Sequence, residues 1–376
     1  MSGGGQTAVV LAAWFALRPS LAASALFVVG WSCGWLLLAR PRHQRSGPAA
    51  VRPPVTVVVP ARDEAAMIGR LLAAVMPQLR PADRLVVVDD HSTDGTADIA
   101  RSHGATVVAA PDLPSGWAGK PHACSVGAAG SAAAGDDVLV FLDADVVPGP
   151  HLLDALAATV AAHPDTLVTV QPWHRTERLH EQGSLLFNLA ALMGSGAFSP
   201  LGHRRAGRVA FGPVLACSRA RYDQLGGHAH PEVRAAVLED IALARRFGRV
   251  DISVGARGDT EFRMYPAGLR ALVQGWTKGM GIGLDATPWW AVLGVAGWLW
   301  SLAGGWLASP WFWAASALQL WVLGRVAGRW SPLAVVLHPL LTAGFVVVVV
   351  RSVVLRRLGR TVAWKGRRVR PDQATG

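Results

Sequence analysis

Through the middle of the chain, short apolar runs alternate with stretches whose apolar positions recur at helical spacing. "VTVVVP" from Val55 and "RLVVVDD" from Arg84 are β-branched runs bounded by turn residues, the pattern of buried parallel strands. Between them "EAAMIGRLLAAVM" carries helical spacing, as does "TADIARSH" after the second run. "ATVVAA" then reads as a strand, "HACSVGAAGSAAA" as a helix and "DDVLVFLDAD" as a fourth strand. Such strand–helix–strand repetition predicts an α/β domain whose mostly parallel sheet is covered on both faces. Ligands of such sheets sit off the carboxyl ends of the strands.

The two ends of the chain are patterned differently. Leu21 to Ala39 runs for 19 residues without a charge and is followed by "RPRHQR". A helix of about 20 apolar residues crosses a bilayer core, so this segment is expected to span. A cleaved signal peptide fits less well, because the basic residues follow the apolar run and no small-residue cleavage site comes after it. The shorter run Val9 to Leu17 is either part of a hairpin or interfacial. Near the other end, Trp289 to Ala308 and Leu333 to Val350 are long enough to span, whereas Trp311 to Gly324 is short and Trp-rich. Three crossings would put Arg351 to Arg370 opposite the α/β domain. Two crossings with an interfacial middle segment would keep that basic stretch on the domain's side, as the charge rule for cytoplasmic flanks prefers. On sequence alone the number stays open. The expected organisation is a membrane anchor over 1–50, the α/β domain over 51–260, an interfacial amphipathic segment over 261–287, a transmembrane region over 288–352 and a basic cytoplasmic tail over 353–376. The expected location is the cell membrane, multi-pass, with the α/β domain facing the cytoplasm.

Composition agrees with that division. Charged residues make up only 16% and hydrophobic ones 51%, against about 25% charged in an ordinary soluble domain. A net charge of +11 would also suit a nucleic-acid binder. The basic residues, however, flank the apolar segments, where anionic lipid would meet them, and no aromatic–basic interleaving marks a nucleic-acid module. No nucleic-acid partner is expected. Cys33, Cys124 and Cys217 stand far apart, which suits neither a disulfide-stapled domain nor a structural zinc site.

Polar residues collect where the strands end: Pro60-Ala61-Arg62-Asp63-Glu64, then Asp89-Asp90-His91-Ser92-Thr93-Asp94, then Asp143-Ala144-Asp145. Each cluster has a plain structural reading. Ser92 or Thr93 can cap a helix, Asp94-Gly95 can turn, and Asp63-Glu64 can sit on a helix N-terminus. Three clusters on one edge of one sheet point instead to a site. Residues i and i+2 of a strand share a face, so Asp143 and Asp145 can approach one cation. No GxGxxG follows the first strand and no GxxxxGK(S/T) occurs, so neither a dinucleotide fold nor a P-loop is supported.

The set "VVVPARDEAAMIGRLL", "VVVDDHSTDGTADIA", "GWAGKPHA", "FLDADVVP" and "FGPVLACSRARYDQLGGH" leading into "VLEDIALARRF" resembles glycosyltransferase family 2, of the GT-A nucleotide-sugar fold. The resemblance covers Val55 to Gly283 and the tail "VAWKGRRV". "FRMYPAGLRALVQGWTKG", just before the C-terminal apolar segments, is similar to the membrane-bound subgroup typified by carotenoid acid glycosyltransferases. The chain departs from the Q-x-x-R-W pattern of processive synthases and ceramide glucosyltransferases: Gln274-Gly275-Trp276 is followed by Thr277 and Lys278.

The resemblance implies a GT-A domain flanked by N- and C-terminal transmembrane helices. It implies transfer of a sugar from a nucleotide sugar, a UDP-hexose, to a lipid such as a carotenoid acid, with inversion. Alternatives are a polyprenyl-phosphate sugar transferase or a ceramide- or diacylglycerol-type glucosyltransferase; the intact acid clusters speak against a non-enzymatic scaffold. By the same resemblance Pro60, Arg62, Glu64, Asp89, Asp90, Lys120 and Asp143 bind the nucleotide sugar. Asp145, with Asp143, holds Mn2+ or Mg2+, hard cations suited to oxygen ligands. Asp240 is the general base with Glu239 beside it, although acids opening a helix also simply complement its dipole. Trp173, His228, Trp276 and Lys278 are assigned to the acceptor. Trp276 has an interfacial-anchor reading as well, and His228 and His230 fit loop residues better than zinc ligands.

Overall fold

The apolar runs become neighbouring strands in a computed structural model, which describes residues 18–44, 47–49, 51–130, 137–202, 208–360, 362–364 and 367–369. The strands that matter for the site are β1 (Val55–Ala61), β2 (Arg84–Asp89), β3 (Thr106–Ala109), β4 (Val138–Leu142), β5 (Val146–Val147), β6 (Leu167–Gln171), β7 (Trp173–His174), β8 (Val214–Ser218), β9 (Val250–Val254) and β10 (Glu261–Phe262). Seven of them form one sheet in the order β3-β2-β1-β4-β8-β6-β9. β1 to β4 run parallel, with Val58 opposite both Val86 and Phe141. β8 is antiparallel to both of its neighbours, while β6 and β9 are parallel. The sheet is thus mostly parallel, with one reversed strand that the apolar pattern did not mark. β10 joins β5 and β7 in a second, three-stranded sheet.

The helices are α1 (Leu21–Leu37), α2 (Ile68–Val75), α3 (Thr96–Ser102), α4 (Gly119–Gly130), α5 (Leu152–Ala162), α6 (Leu185–Ser195), α7 (Arg219–Gln224), α8 (Pro231–Arg234), α9 (Glu239–Phe247), α10 (Leu269–Ala286), α11 (Trp289–Ala308), α12 (Pro310–Ala327), α13 (Pro332–Val336) and α14 (His338–Arg357). Alternate residues of each strand feed opposite faces. Val55, Val57 and Val59 pack with Ile68, Leu71 and Leu72 of α2 and Leu152, Leu153 and Leu156 of α5. Val58, Val86 and Val88 pack with Cys124 of α4 and Leu243 and Phe247 of α9. Gly127 lets α4 lie against the sheet, since an added Cβ would stand 2.4 Å from Val58 Cγ1.

At the amino ends of these strands the entry to β1 is fixed by a closed ion cluster. Arg52 reaches Asp83 at 2.5 Å and Asp154 at 2.6 Å, and Arg80 joins Asp154 at 2.9 Å.

Two described helices, α11 and α14, are long and apolar enough to cross a membrane. α1 is a correction to expectation. It ends at Leu37 after 17 residues, about 26 Å at 1.5 Å per residue against about 30 Å of hydrocarbon, so it is not by itself a clear span. It packs instead on α11 through small residues: a Cβ on Gly30 would stand 2.3 Å from the Gly297 carbonyl oxygen. Gln319 of α12 ties the group together, accepting from Trp298 Nε1 at 3.0 Å and donating to the Trp31 carbonyl at 2.7 Å. The run Val9 to Leu17 lies outside the described residues, as does part of the basic tail.

The helices are bonded to the α/β domain at several points. After α1, Gln44 N–H donates to the Val254 carbonyl at 2.9 Å, and Val254 N–H donates to the Arg42 carbonyl at 2.8 Å. Between α12 and α13, Arg329 N–H donates to the His174 carbonyl at 2.8 Å. α10 lies along α14: Ser352 Oγ accepts from Gly281 N–H at 2.9 Å and donates to the Thr277 carbonyl at 2.6 Å. Arg356 pairs with Asp285 at 2.5 Å, so the basic end of α14 sits beside the point where α11 begins. The chain between them leaves the domain and returns to it.

Candidate active site

The loops leaving β1 and β2 are braced against each other. Asp63 N–H donates to Ser92 Oγ at 3.0 Å, Thr93 N–H donates to Asp63 Oδ1 at 2.8 Å, and Ala65 N–H donates to Asp94 Oδ2 at 3.0 Å. Glu64 N–H donates to Thr96 Oγ1 at 2.8 Å. Asp63 and Asp94 are therefore loop braces, and they hold two left-handed residues, Asp63 (φ 52) and His91 (φ 59). Such backbone costs of order 1–3 kcal/mol per residue and persists only where the surroundings impose it. Within this frame Asp90 is buried, with Arg62 Nη1 3.7 Å from its carboxylate and His91 Nδ1 3.2 Å away. Asp89 Oδ1 is buried with no hydrogen-bond partner among the described residues. Pro60 stands across the ladder from Val88.

At the end of β4, Asp143 and Asp145 flank the buried Ala144, and both keep partial exposure. Lys120, from the first turn of α4, reaches Asp143 Oδ1 at 2.6 Å and Glu239 Oε1 at 2.7 Å. Burial opposes its charge, but the two acids outweigh burial and hold its pKa well above the usual lysine value. Burial likewise opposes the Glu239 charge, and Lys120 outweighs it, leaving Glu239 lowered. Asp240 differs. Burial, then the neighbouring Glu239 charge, push its pKa to about 7, against the pull of Lys120. Its carboxylate accepts from Gly212 N–H at 2.8 Å and from Ile241 N–H at 2.9 Å. α10 brings Lys278 into the same field. Burial pushes its pKa down, while Glu239, Asp240 and Asp143 act in the other direction. Lys120, Asp143, Glu239, Asp240 and Lys278 therefore share one electrostatic neighbourhood, contributed by α4, β4, α9 and α10.

Three residues assigned to the acceptor hold structural positions. His228 is fully buried, its Nδ1 2.9 Å from Tyr222 Oη and its ring 4.8 Å from Phe141. With 0% exposure it does not face an acceptor, which corrects that expectation. Trp173 is 7% exposed and donates from Nε1 to the Arg325 carbonyl at 3.1 Å, joining the domain to α12. Trp276 stacks on Phe187 at 4.8 Å and donates to Ser184 Oγ at 3.1 Å, so it ties α10 to α6.

Residues 56–208 match the family model for glycosyl transferase family 2. The 4,4'-diaponeurosporenoate glycosyltransferase of Staphylococcus aureus is 32% identical over 366 residues, covering 91% of this chain and 95% of that protein. The chain belongs to glycosyltransferase family 2. This glycosyltransferase is also similar in structure to a mannosyltransferase from Pyrobaculum calidifontis solved with GDP-Man and Mn2+ (20% identity, TM-score 0.49, 89% of this chain and 97% of that one). A second similar structure is glucosyl-3-phosphoglycerate synthase from Mycobacterium tuberculosis, with Mn2+, UDP and glucosyl-3-phosphoglycerate (24% identity, TM-score 0.40, 60% and 81% covered).

A divalent cation fits the residues this family 2 enzyme presents. Asp143 and Asp145 offer hard oxygen donors just past the end of β4; no group of three or more His, Cys, Asp or Glu gathers to hold a metal among the described residues, at this place or elsewhere. Two carboxylates leave the rest of a magnesium or manganese shell to water and substrate phosphates, the usual arrangement. Sequence reasoning missed the backbone N–H of Gly212 that holds Asp240.

Proposed function

We propose that this family 2 glycosyltransferase moves a hexose from a UDP-sugar to a lipid acceptor held in the membrane, a carotenoid acid or similar lipid, with inversion at the sugar carbon. The observation that carries the reading is the single cluster in which Lys120 bridges Asp143 and Glu239 beside Asp240. Arg62, Glu64, Asp89 and Asp90 would receive the nucleotide, since a carboxylate can accept from a base N–H. Asp143 and Asp145 would hold the divalent cation, which when bound neutralises charge developing on the diphosphate. Lys120 holds Asp143 and Glu239 in place and adds positive charge near the same phosphates. Asp240, with its pKa near 7, is poised to take a proton from an acceptor hydroxyl at neutral pH. A carboxylate acceptor, with an ordinary pKa near 4, arrives ionised and needs no base. Lys278 would then face its negative charge.

The membrane reading is supported by α11 and α14 and by the basic residues Arg42 and Arg356, which lie where the helices meet the domain. That placement favours a cytoplasmic catalytic domain. The test is a membrane assay with several nucleotide sugars and a carotenoid acid, followed by mass spectrometry of the lipids. A hexose mass increment on the lipid is expected with UDP-sugar. Transfer only to water or to soluble acceptors would sink the reading.

A further inference from the structure

The chain enters β8 through Phe211-Gly212-Pro213, which lie just outside the sheet. Every backbone polar group of these three residues is taken, and mostly by the site. Gly212 N–H donates to Asp240 Oδ2 at 2.8 Å, and the Gly212 carbonyl accepts from Lys120 Nζ at 3.4 Å. The Pro213 carbonyl accepts from Asp143 N–H at 3.0 Å, and proline has no N–H to satisfy. The fit around Gly212 is close. An added Cβ there would stand 3.1 Å from both Asp240 Oδ2 and Lys120 Nζ. One short stretch of main chain thus bonds to three charged residues of the site.

What holds that stretch is a hydroxyl. Thr169, on β6, is 0% exposed, and its Oγ1 both accepts from Phe211 N–H at 2.9 Å and donates to the Phe211 carbonyl at 2.9 Å. Bonded at both of its polar groups, Phe211 can neither shift nor rotate its backbone freely, and the next N–H along the chain is the one on Asp240. The pin itself is carried by the sheet, since Thr169 stands opposite Leu215 of β8 and Ile252 of β9. A buried hydroxyl needs a partner in any core, and a single bond would meet that need. Thr169 uses both its donor and its acceptor on the residue before Gly212. The reaction as proposed gives Thr169 no task.

We propose that Thr169 is a positioning residue: by pinning Phe211 it holds the Gly212 N–H on Asp240, and so aims that carboxylate at the proton of an acceptor hydroxyl. Ile241 N–H takes the other Asp240 oxygen at 2.9 Å, so the two N–H groups together set the plane of the carboxylate. The inference rests on the reading of Asp240 as general base. A misplacement of about 1 Å, caused away from the chemistry, can cost on the order of 100-fold in rate.

The experiment measures steady-state turnover of the full-length enzyme in detergent, with UDP-sugar, Mn2+ and either a long-chain alcohol or the matching fatty acid as acceptor. Thr169→Val, which keeps the shape and removes the hydroxyl, should lower kcat with the alcohol about 10- to 100-fold. Turnover with the acid, which arrives ionised, should stay near wild type. Thr169→Ser keeps the hydroxyl and should restore the alcohol rate. Added to Asp240→Asn, Thr169→Val should cost nothing further, because it acts through that residue. Should Thr169→Val fail to fold, Gly212→Ala decides. Its Cβ crowds only the flexible ends of Asp240 and Lys120, so the alcohol rate should fall more than the acid rate; an unchanged alcohol rate breaks the link through which Thr169 acts. Wild-type alcohol turnover in Thr169→Val, in an enzyme that Asp240→Asn impairs, overturns the positioning role and leaves the base reading intact. An equal loss with both acceptors does the same. Asp240→Asn at the wild-type alcohol rate, or a wild type that turns over only the acid, overturns both.

Discussion

At the amino ends of the parallel strands Arg52 meets Asp83 and Asp154; at their carboxyl ends Lys120 meets Asp143 and Glu239. The first cluster is saturated. Arg52 bonds both oxygens of Asp83, one of Asp154 and the carbonyls of Pro53 and Gln78, and Asp83 also accepts from Val55 N–H at 2.8 Å and Arg80 N–H at 2.7 Å. Burial works against the charge on Asp83 and Asp154, yet these bonds outweigh it and lower both pKa values. The second cluster carries an acid that its cations do not settle, Asp240, held near pKa 7. The difference separates two purposes. A cluster that only anchors the chain can satisfy every charge. A cluster that handles protons and phosphates keeps a group whose charge is unresolved, and so gives up stability where it gains chemistry.

The sharpest way to break this comparison is Asp240→Asn. With a hydroxyl acceptor, turnover should fall by about 10² to 10⁴, the range for a general base. With a carboxylate acceptor it should stay near normal, and steady-state rates with matched alcohol and acid acceptors decide between them. The same variant should not be less stable than wild type at pH 8. The raised pKa of Asp240 contributes stability that is fully present below its unfolded value and lost as pH rises through about 7, and asparagine has no such loss. Arg52→Ala should cost about 3–5 kcal/mol in chemical denaturation, because it strands buried carboxylates. A loss under about 1 kcal/mol, the scale of an exposed ion pair, would remove the distinction between the clusters. Next in size is the pH profile. With a hydroxyl acceptor, turnover should climb about tenfold per unit as pH rises towards 7 and then level, as Asp240 ionises. The smallest effect sharpens the picture: Lys120→Met should move the midpoint of that climb to higher pH, because the Lys120 charge holds the Asp240 pKa down.

The strands and the acids at their ends were legible because both depend on local pattern, β-branched runs closed by polar turns. The period of a strand pairs Asp143 with Asp145, but β4 ends at Leu142 and the two acids flank Ala144 in the turn before β5, so it is that turn and not the strand period that sets them side by side. β8 was not legible, because "VLACS" gives no hint of direction and its antiparallel place depends on partners 46 to 80 residues away in sequence. Lys120 could be named as a cation, but its bridge from Asp143 to Glu239 is made only when α4 and α9 meet over the sheet. His228 in "GGHAHP" looked like a polar loop residue, yet Gly227 (φ 48) turns it beneath Tyr222 and into the core. Arg52 lies in "RPP", and its partners are distant in sequence: Asp83 just before β2 and Asp154 in the first turn of α5.

The loop between α12 and α13 is stitched to the domain by Arg329, Arg325 and the backbone of His174. That seam joins the catalytic domain to the helices by direct hydrogen bonds, through the backbone of His174 and Arg329 and the Trp173 indole, in addition to the covalent chain. On the membrane reading the enzyme becomes a depth gauge. Only a lipid whose reactive end rides at the height set by that seam can meet Asp240, so selection among acceptors begins with where along its length a molecule carries its oxygen.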